Sequence, residues 1–550
     1  MEQIKSLNGE LFSKMVKMGA LNFKSHIDEI NDLNVFPVPD GDTGDNMFMT
    51  LSGGIKEVGD STCNSIGEVA KKMAKGMLLS ARGNSGVIFS QLFSGFSKGI
   101  GDREQANLEE ICFALKSAVK QAYSSVVQPI EGTMLTVARE TCEKASAIYK
   151  TVKSTEEFGE LCLSEVKMSL NRTPELLPVL KEAGVVDSGG AGIYYFIQGM
   201  VYGLEGKELE EVDYTMESEQ VDLSKFNKDS VMEYGYCTEC LLQLQTIKVD
   251  VDNFDINVVT NFLQSIGDSV VAFKTDSVVK LHVHTLTPHK VLEFCQQFGE
   301  FLNVKIENMT LQHNEIGEKD KEEGSKQRPH KQFGLVTVAF GKGLIDTFYE
   351  MGADIVIEGG QTKNPSVQEF VNAFKEVNAD EIFVLPNNSN IILAAQKAIE
   401  IFKGAKIHLV KTKSFGQAYA ILSALDYSCN DGELIVGGMK ESMEGVITAS
   451  ITSSVRDANI NNVSIKAGEY IGFTDKEMRF SSSDKIATLE GLLATIDLED
   501  KYFVISVYGK EITEQEKQKT RELIETKYPD VEFYELDGGQ EVYDYILIIE

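Results

Sequence analysis

The spacing of apolar residues changes character along this chain, and that change limits the fold more than any other feature of the sequence. Ile4, Leu7, Leu11, Met15, Met18 and Leu21 recur every three or four positions, and the same period runs through "SIGEVAKKMAKGMLLSA" and "LEEICFALKSAVKQAYSSV". Such a period lays its residues along one stripe of a helix. Glycine-containing stretches interrupt it: "ARGNSG" (81–86), "PIEGTM" (129–134) and "VVDSGGAG" (185–192). The expectation for residues 1–204 is an all-α domain whose loops, rather than its helices, carry the chemistry.

Beyond that point the period shortens. Residues 205–230 are acidic and weakly periodic and read as a linker. In residues 231–314, "CLLQLQTIKV", "INVVTNFLQSIG", "DSVVAFKTDSVVKLHVHT", "HKVLEFCQQFGEF" and "NVKIENM" read as strand, helix, two strands, helix and strand. That order is the split βαβ of a ferredoxin-like α+β domain. A charged linker over 315–332 precedes residues 333–550, where "FGLVTVAF", "DIVIEG", "EIFVLP" and "KIHLVK" alternate with helical stretches. This predicts an α/β domain with a largely parallel sheet. After about residue 430 the pattern suggests a further α/β layer. A chain of 550 residues is expected to divide in this way.

The formal net charge of −31 opposes recognition of nucleic acid or of an anionic membrane surface. It leaves room for a small phosphate ligand whose field a cation or a few backbone N–H groups reverse locally. The N-terminus has no apolar signal core, and no apolar run approaches membrane length, so a cytoplasmic protein with no membrane span is expected. Eight cysteines without framework spacing suit reduced thiols.

Residues 34–47, "NVFPVPDGDTGDNM", set Asp40, Asp42 and Asp45 among glycines and prolines. Carboxylates packed this closely repel one another unless a cation neutralises them. Mg²⁺ suits such a loop, because it takes hard oxygen ligands from one or two carboxylates and leaves positions for water and phosphate. An EF-hand is disfavoured, since Val35–Thr50 contains no glutamate. The competing reading is a solvated Asp/Gly turn. Gly83, Asn84, Ser85 and Gly86 precede an apolar helix and are suited to presenting N–H groups to a phosphate. Thr133 with Met134, and Asp187 with Ser188, Gly189 and Gly190, each open another helix and, taken alone, read as its cap.

Taken together, "NVFPVPDGDTGDNM", "ARGNSGVIFSQLFSGF", "EGTMLTVA" and "VVDSGGAGIYYFIQGM" resemble the nucleotide-binding DhaL domain of the dihydroxyacetone kinase family. The resemblance is closer to the catalytic subunit of bacterial fatty acid kinase, because "YGYCTE", "VKLHVHT", "EGGQTKNPS" and "LPNNSNIILAA" extend it over nearly the whole chain. It implies that the first domain is an eight-helix barrel holding ATP through two Mg²⁺ ions. Asp40 and Asp42 match the family's metal-binding, catalytic carboxylates, with Asn34, Thr43 and Asn46 beside them. Gly83, Asn84, Ser85, Gly86, Thr133, Met134, Asp187, Ser188 and Gly189 match its nucleotide-contacting segments. Asp45 departs from the pattern, and either joins the metal through water or faces solvent.

The resemblance further implies a fatty acid as phosphoryl acceptor, an acyl phosphate as product for phospholipid synthesis, a separate fatty-acid-binding carrier of the DegV type, and a homodimer. Nothing in the helical domain announces a deep apolar tunnel for an acyl chain, which agrees with a separate carrier. The C-terminal domain resembles the DegV fold itself and is expected to dock that carrier. Cys237, His282 and His284 form a candidate zinc set, with Cys240 as the alternative thiolate; the competing reading is two histidines on an exposed strand. "EGGQTKNPS" and "LPNNSN" are a binding crevice, a docking surface, or polar turns with Asn364 and Ser389 as helix caps. Two other functions remain open at this stage: a dihydroxyacetone-type kinase acting on a small hydroxyl compound, and a nucleotide-sensing scaffold without turnover.

Overall fold

The computed structural model describes residues 6–34, 41–59, 63–126, 128–207, 236–251, 254–275, 277–308, 330–360, 364–461, 463–474, 477–499 and 501–550. It forms two compact units, one of Met1–Tyr214 with Arg328–Glu550 and the other Thr215–Gln327.

The first unit begins with β1 (Ser6–Asn8), α1 (Gly9–Lys24), α2 (Ile27–Asp32), α3 (Thr43–Val58), α4 (Ile66–Ser80) and α5 (Gly83–Ile100). It continues through β2 (Gln105–Asn107), α6 (Leu108–Ser124), α7 (Met134–Ile148), α8 (Thr155–Leu176), α9 (Pro178–Ala183) and α10 (Ser188–Glu205). The helical stripe expected from Ile4 onward starts later than its spacing suggests. Leu7 lies in β1, paired with Ala106 of β2, because Asn8 ends the strand and caps α1 by accepting the Leu11 N–H. Ile4 lies outside the described residues.

Eight of these helices have 15 or more residues, and they pack in the order α1, α3, α4, α5, α6, α7, α8, α10 and back to α1. Small residues permit the close approaches. A Cβ on Gly199 of α10 would lie 2.4 Å from the Met18 carbonyl oxygen of α1, and one on Gly76 of α4 would lie 2.2 Å from the Gly53 carbonyl oxygen of α3. Inside, Val16, Phe23, Met47, Leu51, Ile66 and Met73 are fully buried. The interior also holds an apolar pocket of about 220 Å³, lined by Leu7, Phe12, Phe89, Phe93, Phe158 and Phe196 among others. The stripes thus converge without filling the centre, which nothing in the sequence announced.

The second unit contains β3 (Tyr236–Leu244), α11 (Asn257–Ile266), β4 (Gly267–Thr275), β5 (Val278–Thr285), α12 (Pro288–Cys295) and β6 (Gly299–Asn308). Its sheet order is β4-β5-β3-β6, with every neighbouring pair antiparallel. β3 starts before the expected "CLLQLQTIKV" and ends within it, where the chain turns and Lys248 N–H bonds Gln245 O. Cys237 is therefore part of the strand rather than ahead of it.

Residues 330–550 return to the first unit. β7 (Lys331–Ala339), α13 (Lys342–Glu350), β8 (Ile355–Glu358), α14 (Val367–Glu376), β9 (Ala379–Leu385), α15 (Ile392–Ile401) and β10 (Lys406–Leu409) form a four-stranded parallel sheet, order β10-β9-β7-β8, with its crossover helices. There follow α16 (Phe415–Ser423), α17 (Gly432–Met443), β11 (Ile447–Ser453), β12 (Ala458–Ile460), β13 (Val463–Ile465), β14 (Tyr470–Thr474) and β15 (Glu477–Ser482). The chain ends with α18 (Lys485–Leu493), β16 (Phe503–Tyr508), α19 (Glu514–Lys527), β17 (Glu532–Asp537) and β18 (Tyr545–Ile549). The second sheet, β15-β14-β11-β18-β16-β17, is mixed, with only β16 and β17 parallel. The parallel expectation fits the first sheet; the second is built largely from antiparallel neighbours, for which the sequence alternation carried no clear signal.

The close helix contacts make a direct test. Gly76→Ala is expected to destabilise the chain by about 1–3 kcal/mol, because the new methyl meets backbone that has nowhere to move. Gly438→Ala, in α17 with open space around it, is expected to gain about 0.5–1 kcal/mol from helix propensity alone. Thermal or denaturant melting of the two variants reads both signs.

Candidate active site at the start of helix α3

The aspartate loop delivers Asp42 to the N-cap of α3, yet the Asp42 side chain makes no capping hydrogen bond. Only its carbonyl oxygen serves the helix, accepting the Asn46 N–H at 2.8 Å. The carboxylate instead accepts a hydrogen bond from Asn364 Nδ2, which arrives from the segment between β8 and α14. Asp40 lies outside the described residues.

Around Asp42 the predicted residues converge. Thr43 donates its hydroxyl to Asn34 Oδ1 at 2.8 Å, and the Ser188 hydroxyl lies 3.3 Å from Thr43 Oγ1 and 3.5 Å from Asn34 Oδ1. The Asn34 Nδ2 is buried without a hydrogen-bond partner among the described residues. Thr43 and Asn46 are themselves buried. Asp45 points elsewhere: it belongs to an exposed position of α3 and accepts from Asn31 Nδ2 at 2.7 Å, while Asn31 Oδ1 takes the Gly44 N–H. Asn31 thus ties α2 to the first turn of α3, a role the motif reading missed because asparagine in a short helix carries no distinctive spacing.

The glycine loop packs directly against this corner. Gly83 opens α5 with φ +57, and a Cβ there would sit 2.7 Å from Asn46 Nδ2. A Cβ on Gly86 would sit 2.3 Å from Thr50 Oγ1, so glycine is what lets the N-terminus of α5 reach α3. Asn84 Oδ1 is buried and unpartnered among the described residues, and Ser85 is half-buried beside it. The start of α5, with its unpaired N–H groups, faces the same corner as Asp42.

Thr133 and Asp187 are helix caps, as the alternative reading of each had it. Thr133 caps α7 through the Leu135 N–H, and Asp187 caps α10 by accepting the Gly190 N–H at 2.7 Å. Met134 is buried against Gly189, with its sulfur 3.2 Å from where a Gly189 Cβ would stand. The caps bring Ser188 to Thr43 and Asn34, so they serve the site through their position. Burial pushes the Asp187 carboxyl up to about 6, against the opposing pull of the Gly190 and Met134 N–H groups.

Two arginines went unnoticed in the sequence, where nothing distinguishes them from solvated charges. Arg82, just before α5, donates to the Asn364 carbonyl at 2.6 Å and pairs with Glu369 at 3.1 Å. Arg456 donates to the carbonyls of Asp32, at 2.9 Å, and of Asn34. Asn364 and Ser389 do not cap helices: Ser366 caps α14 in a capping box with Glu369, and α15 begins without a side-chain cap.

In the second unit, the β3–β5 register sets Cys237 opposite His284 and Glu239 opposite His282. The side chains of Cys237, His282 and His284 lie outside the described residues, and no group of three metal-ligating side chains occurs among those described. Cys240 is buried in that unit's apolar core. The other described cysteines are free thiols. No described helix is long and apolar enough to cross a membrane.

The raised Asp187 carboxyl gives a prediction whose sign is fixed. The folded chain holds this proton more tightly than the unfolded chain, where an aspartate titrates near 3.9. Its stabilising contribution is complete below about pH 4 and is lost as pH rises through about 6. Asp187→Asn is therefore expected to gain thermal stability relative to the natural chain between about pH 4 and pH 7, read from melting curves at both values.

Comparison with known proteins agrees along the full length. Residues 37–202 match the DAK2 domain, 233–316 the FakA-like middle domain of fatty acid kinase, and 334–550 the FakA-like C-terminal domain. Protein YloV of Bacillus subtilis is 37% identical over 557 residues, with all of both chains covered. A Staphylococcus aureus (strain USA300) protein described as uncharacterized is 34% identical over 553 residues, again covering both chains. Among solved structures, DegV, a fatty acid binding protein from Bacillus subtilis, aligns with a TM-score of 0.31 at 12% identity, covering 40% of this chain and 98% of its own. The C. freundii dihydroxyacetone kinase in complex with AMP-PNP and Mg²⁺ aligns with a TM-score of 0.27 at 17% identity, covering 36% of this chain and 35% of its own. The chain belongs to the FakA-like family of fatty acid kinase proteins.

Proposed function

We propose that this protein is the ATP- and Mg²⁺-dependent kinase subunit of a fatty acid kinase. It transfers the γ-phosphate of ATP to the carboxylate of a fatty acid presented by a separate DegV-type binding protein, giving an acyl phosphate for phospholipid synthesis. The observation that carries this reading is the corner where Asp42, Asn46, the Thr43–Asn34–Ser188 cluster and the glycine start of α5 meet. The Asp42 side chain does not cap its own helix, and the polar atoms of Asn34 and Asn84 that are buried without a hydrogen-bond partner among the described residues suit a polar ligand. These residues fit a Mg²⁺–nucleotide pair, with Asp42, and Asp40 by family resemblance, as the residues that would hold the metal. Bound there, magnesium would offset the charge that develops on the departing diphosphate. The N–H groups at the start of α5 would add fixed positive dipole toward a phosphate.

A carboxylate acceptor agrees with what the site offers. A fatty acid is ionised near neutral pH and needs no base, whereas a hydroxyl acceptor benefits from one. Asp187 is committed to the N–H groups of Gly190 and Met134. The ring of eight long helices supports reading the first domain as the family's eight-helix barrel. The all-antiparallel β4-β5-β3-β6 order supports a ferredoxin-like middle domain, and residues 333–550 are read as the DegV-like domain that docks the carrier. The homodimer and the domain limits 1–204, 231–314 and 333–550 belong to the same proposal, as does the cytoplasmic location.

Purified protein incubated with labelled ATP, Mg²⁺, oleate and a carrier-containing cell fraction is expected to give a labelled product that hydroxylamine cleaves. Asp42→Ala should lower its formation at least about 100-fold while the melting temperature holds. A resistant product would point instead to a hydroxyl acceptor, and unimpaired cellular function of Asp42→Ala to a nucleotide-sensing scaffold. The register of Cys237 and His284 supports a zinc site in the middle unit. The purified chain is expected to carry zinc by elemental analysis, and Cys237→Ser to lose it; equal metal content in both would remove zinc from the proposal.

A further inference from the structure

Arg456 belongs to the C-terminal α/β region, on the short connection that leads from β11 into the β12–β13 hairpin. That hairpin is firmly rooted. Ala458 pairs with Ile465 and Ile460 with Val463; Ile465 is buried, and Ala458, Ile460 and Val463 pack against the same apolar cluster. Asn461, at the turn, accepts the Met478 N–H of β15 at 3.1 Å. The Arg456 backbone is held as well, since its carbonyl accepts the hydroxyl of buried Ser454 at 2.8 Å. From this base the half-buried guanidinium reaches the helical region, donating through Nη1 to the Asp32 carbonyl at 2.9 Å and through Nη2 to the Asn34 carbonyl. Asp32 ends α2, so its carbonyl is one that the helix itself leaves without an N–H.

We infer that Arg456 is a positioning residue of the kinase site, supplied by the C-terminal region of the same chain, and that it acts by fixing the backbone of Asn34. The inference rests on the reading of this corner as the nucleotide site. Asn34 lies just beyond the end of α2, where its own N–H bonds the Asn31 carbonyl at 3.1 Å. Its side chain has to stand in one place, because its Oδ1 takes the Thr43 hydroxyl and lies 3.5 Å from that of Ser188, joining the start of α3 to the start of α10. A side chain on a segment that leaves a helix is placed only as well as the backbone that carries it. The guanidinium supplies that placement: its planar fork takes both carbonyls in fixed directions, which a point charge does not do. Both bonds are to main-chain oxygens, so their effect reaches a ligand through Asn34. The kinase corner is thereby completed by a residue 422 positions away in the sequence.

The test pairs two measurements on the full-length chain: hydrogen exchange of residues 27–34, read by mass spectrometry, and binding of a non-hydrolysable ATP analogue with Mg²⁺, read by calorimetry. Melting curves confirm that each variant is folded. Arg456→Gln is expected to speed exchange over residues 27–34 while residues 458–465 stay as protected as in the natural chain. It should also weaken analogue binding by about ten-fold, in proportion to the fraction of chains that still hold Asn34 in place. Arg456→Lys keeps the charge without the fork and should fall between the two. Unchanged exchange over residues 27–34 in Arg456→Gln overturns the inference, and so does unchanged affinity. Full affinity in Arg456→Lys overturns it as well, since charge alone would then suffice. Faster exchange over residues 458–465 overturns it by tracing the effect to a loosened hairpin. If the natural chain fails to bind the analogue, the kinase reading falls, and exchange over residues 27–34 still decides whether Arg456 holds Asn34.

Discussion

Helices that ring an apolar interior leave their inward faces no room for polar chemistry. Here Phe12, Phe89, Phe93, Phe158 and Phe196 turn toward that interior, and glycines at positions such as 76 and 199 let neighbouring backbones nearly touch. Burial on this scale is what holds the ring together, and any unpaired polar group inside it would cost about 1–3 kcal/mol. Polar function is pushed to the helix ends, where N–H groups are unpaired in any case. The starts of α3, α5 and α10 come together because the helices that carry them pack as neighbours: α3 with α5, and α10 with α3. The site follows from the packing of the ring rather than being added to it.

This is why the sequence was legible in some places and opaque in others. Helices and their caps follow local rules, so the period of three to four located α4 and α6 and the glycine loops located the starts of α5, α7 and α10 closely, whereas α3 begins at Thr43, inside the segment read as the aspartate loop. The register of α1 was missed by one short strand, because Leu7 fits the apolar stripe and only its pairing with Ala106, a hundred residues away, takes it out of the helix. The convergence of Asn34, Thr43 and Ser188 was anticipated through family likeness, since residues separated by 154 positions have no local signature. The segment around Asn364 was read as a binding crevice, a docking surface or a capped turn, and only the cap fails, because Ser366, two residues later, takes that role with Glu369.

The seat of the C-terminal region on the helical one combines two kinds of interaction. The shared cluster around Ala81, Val87, Val367 and Phe370 supplies non-directional burial and tolerates sliding. The polar bonds do not. Arg82 reads a backbone carbonyl and a carboxylate at once, and Arg456 spans the two carbonyls that lead into the aspartate loop. Arginine suits this role because its planar fork stays charged and offers several donors in fixed directions.

Such buried or half-buried pairs add little net stability, because desolvation offsets most of the attraction. Their effect is on register. A shift of the C-terminal region by one residue would keep the apolar patch covered but would leave the Arg82 guanidinium without its carbonyl and Asn364 away from Asp42. In a chain of net charge −31, two guanidiniums placed at this one corner also oppose the local excess of carboxylates without filling the site. Among the described contacts, Arg456 bonds backbone oxygens, Arg82 pairs with Glu369, and Asp42 accepts from the uncharged Asn364 amide. A carboxylate that accepts from an uncharged amide on one oxygen keeps its charge and further lone pairs for a cation, whereas a guanidinium forked onto both oxygens would neutralise it.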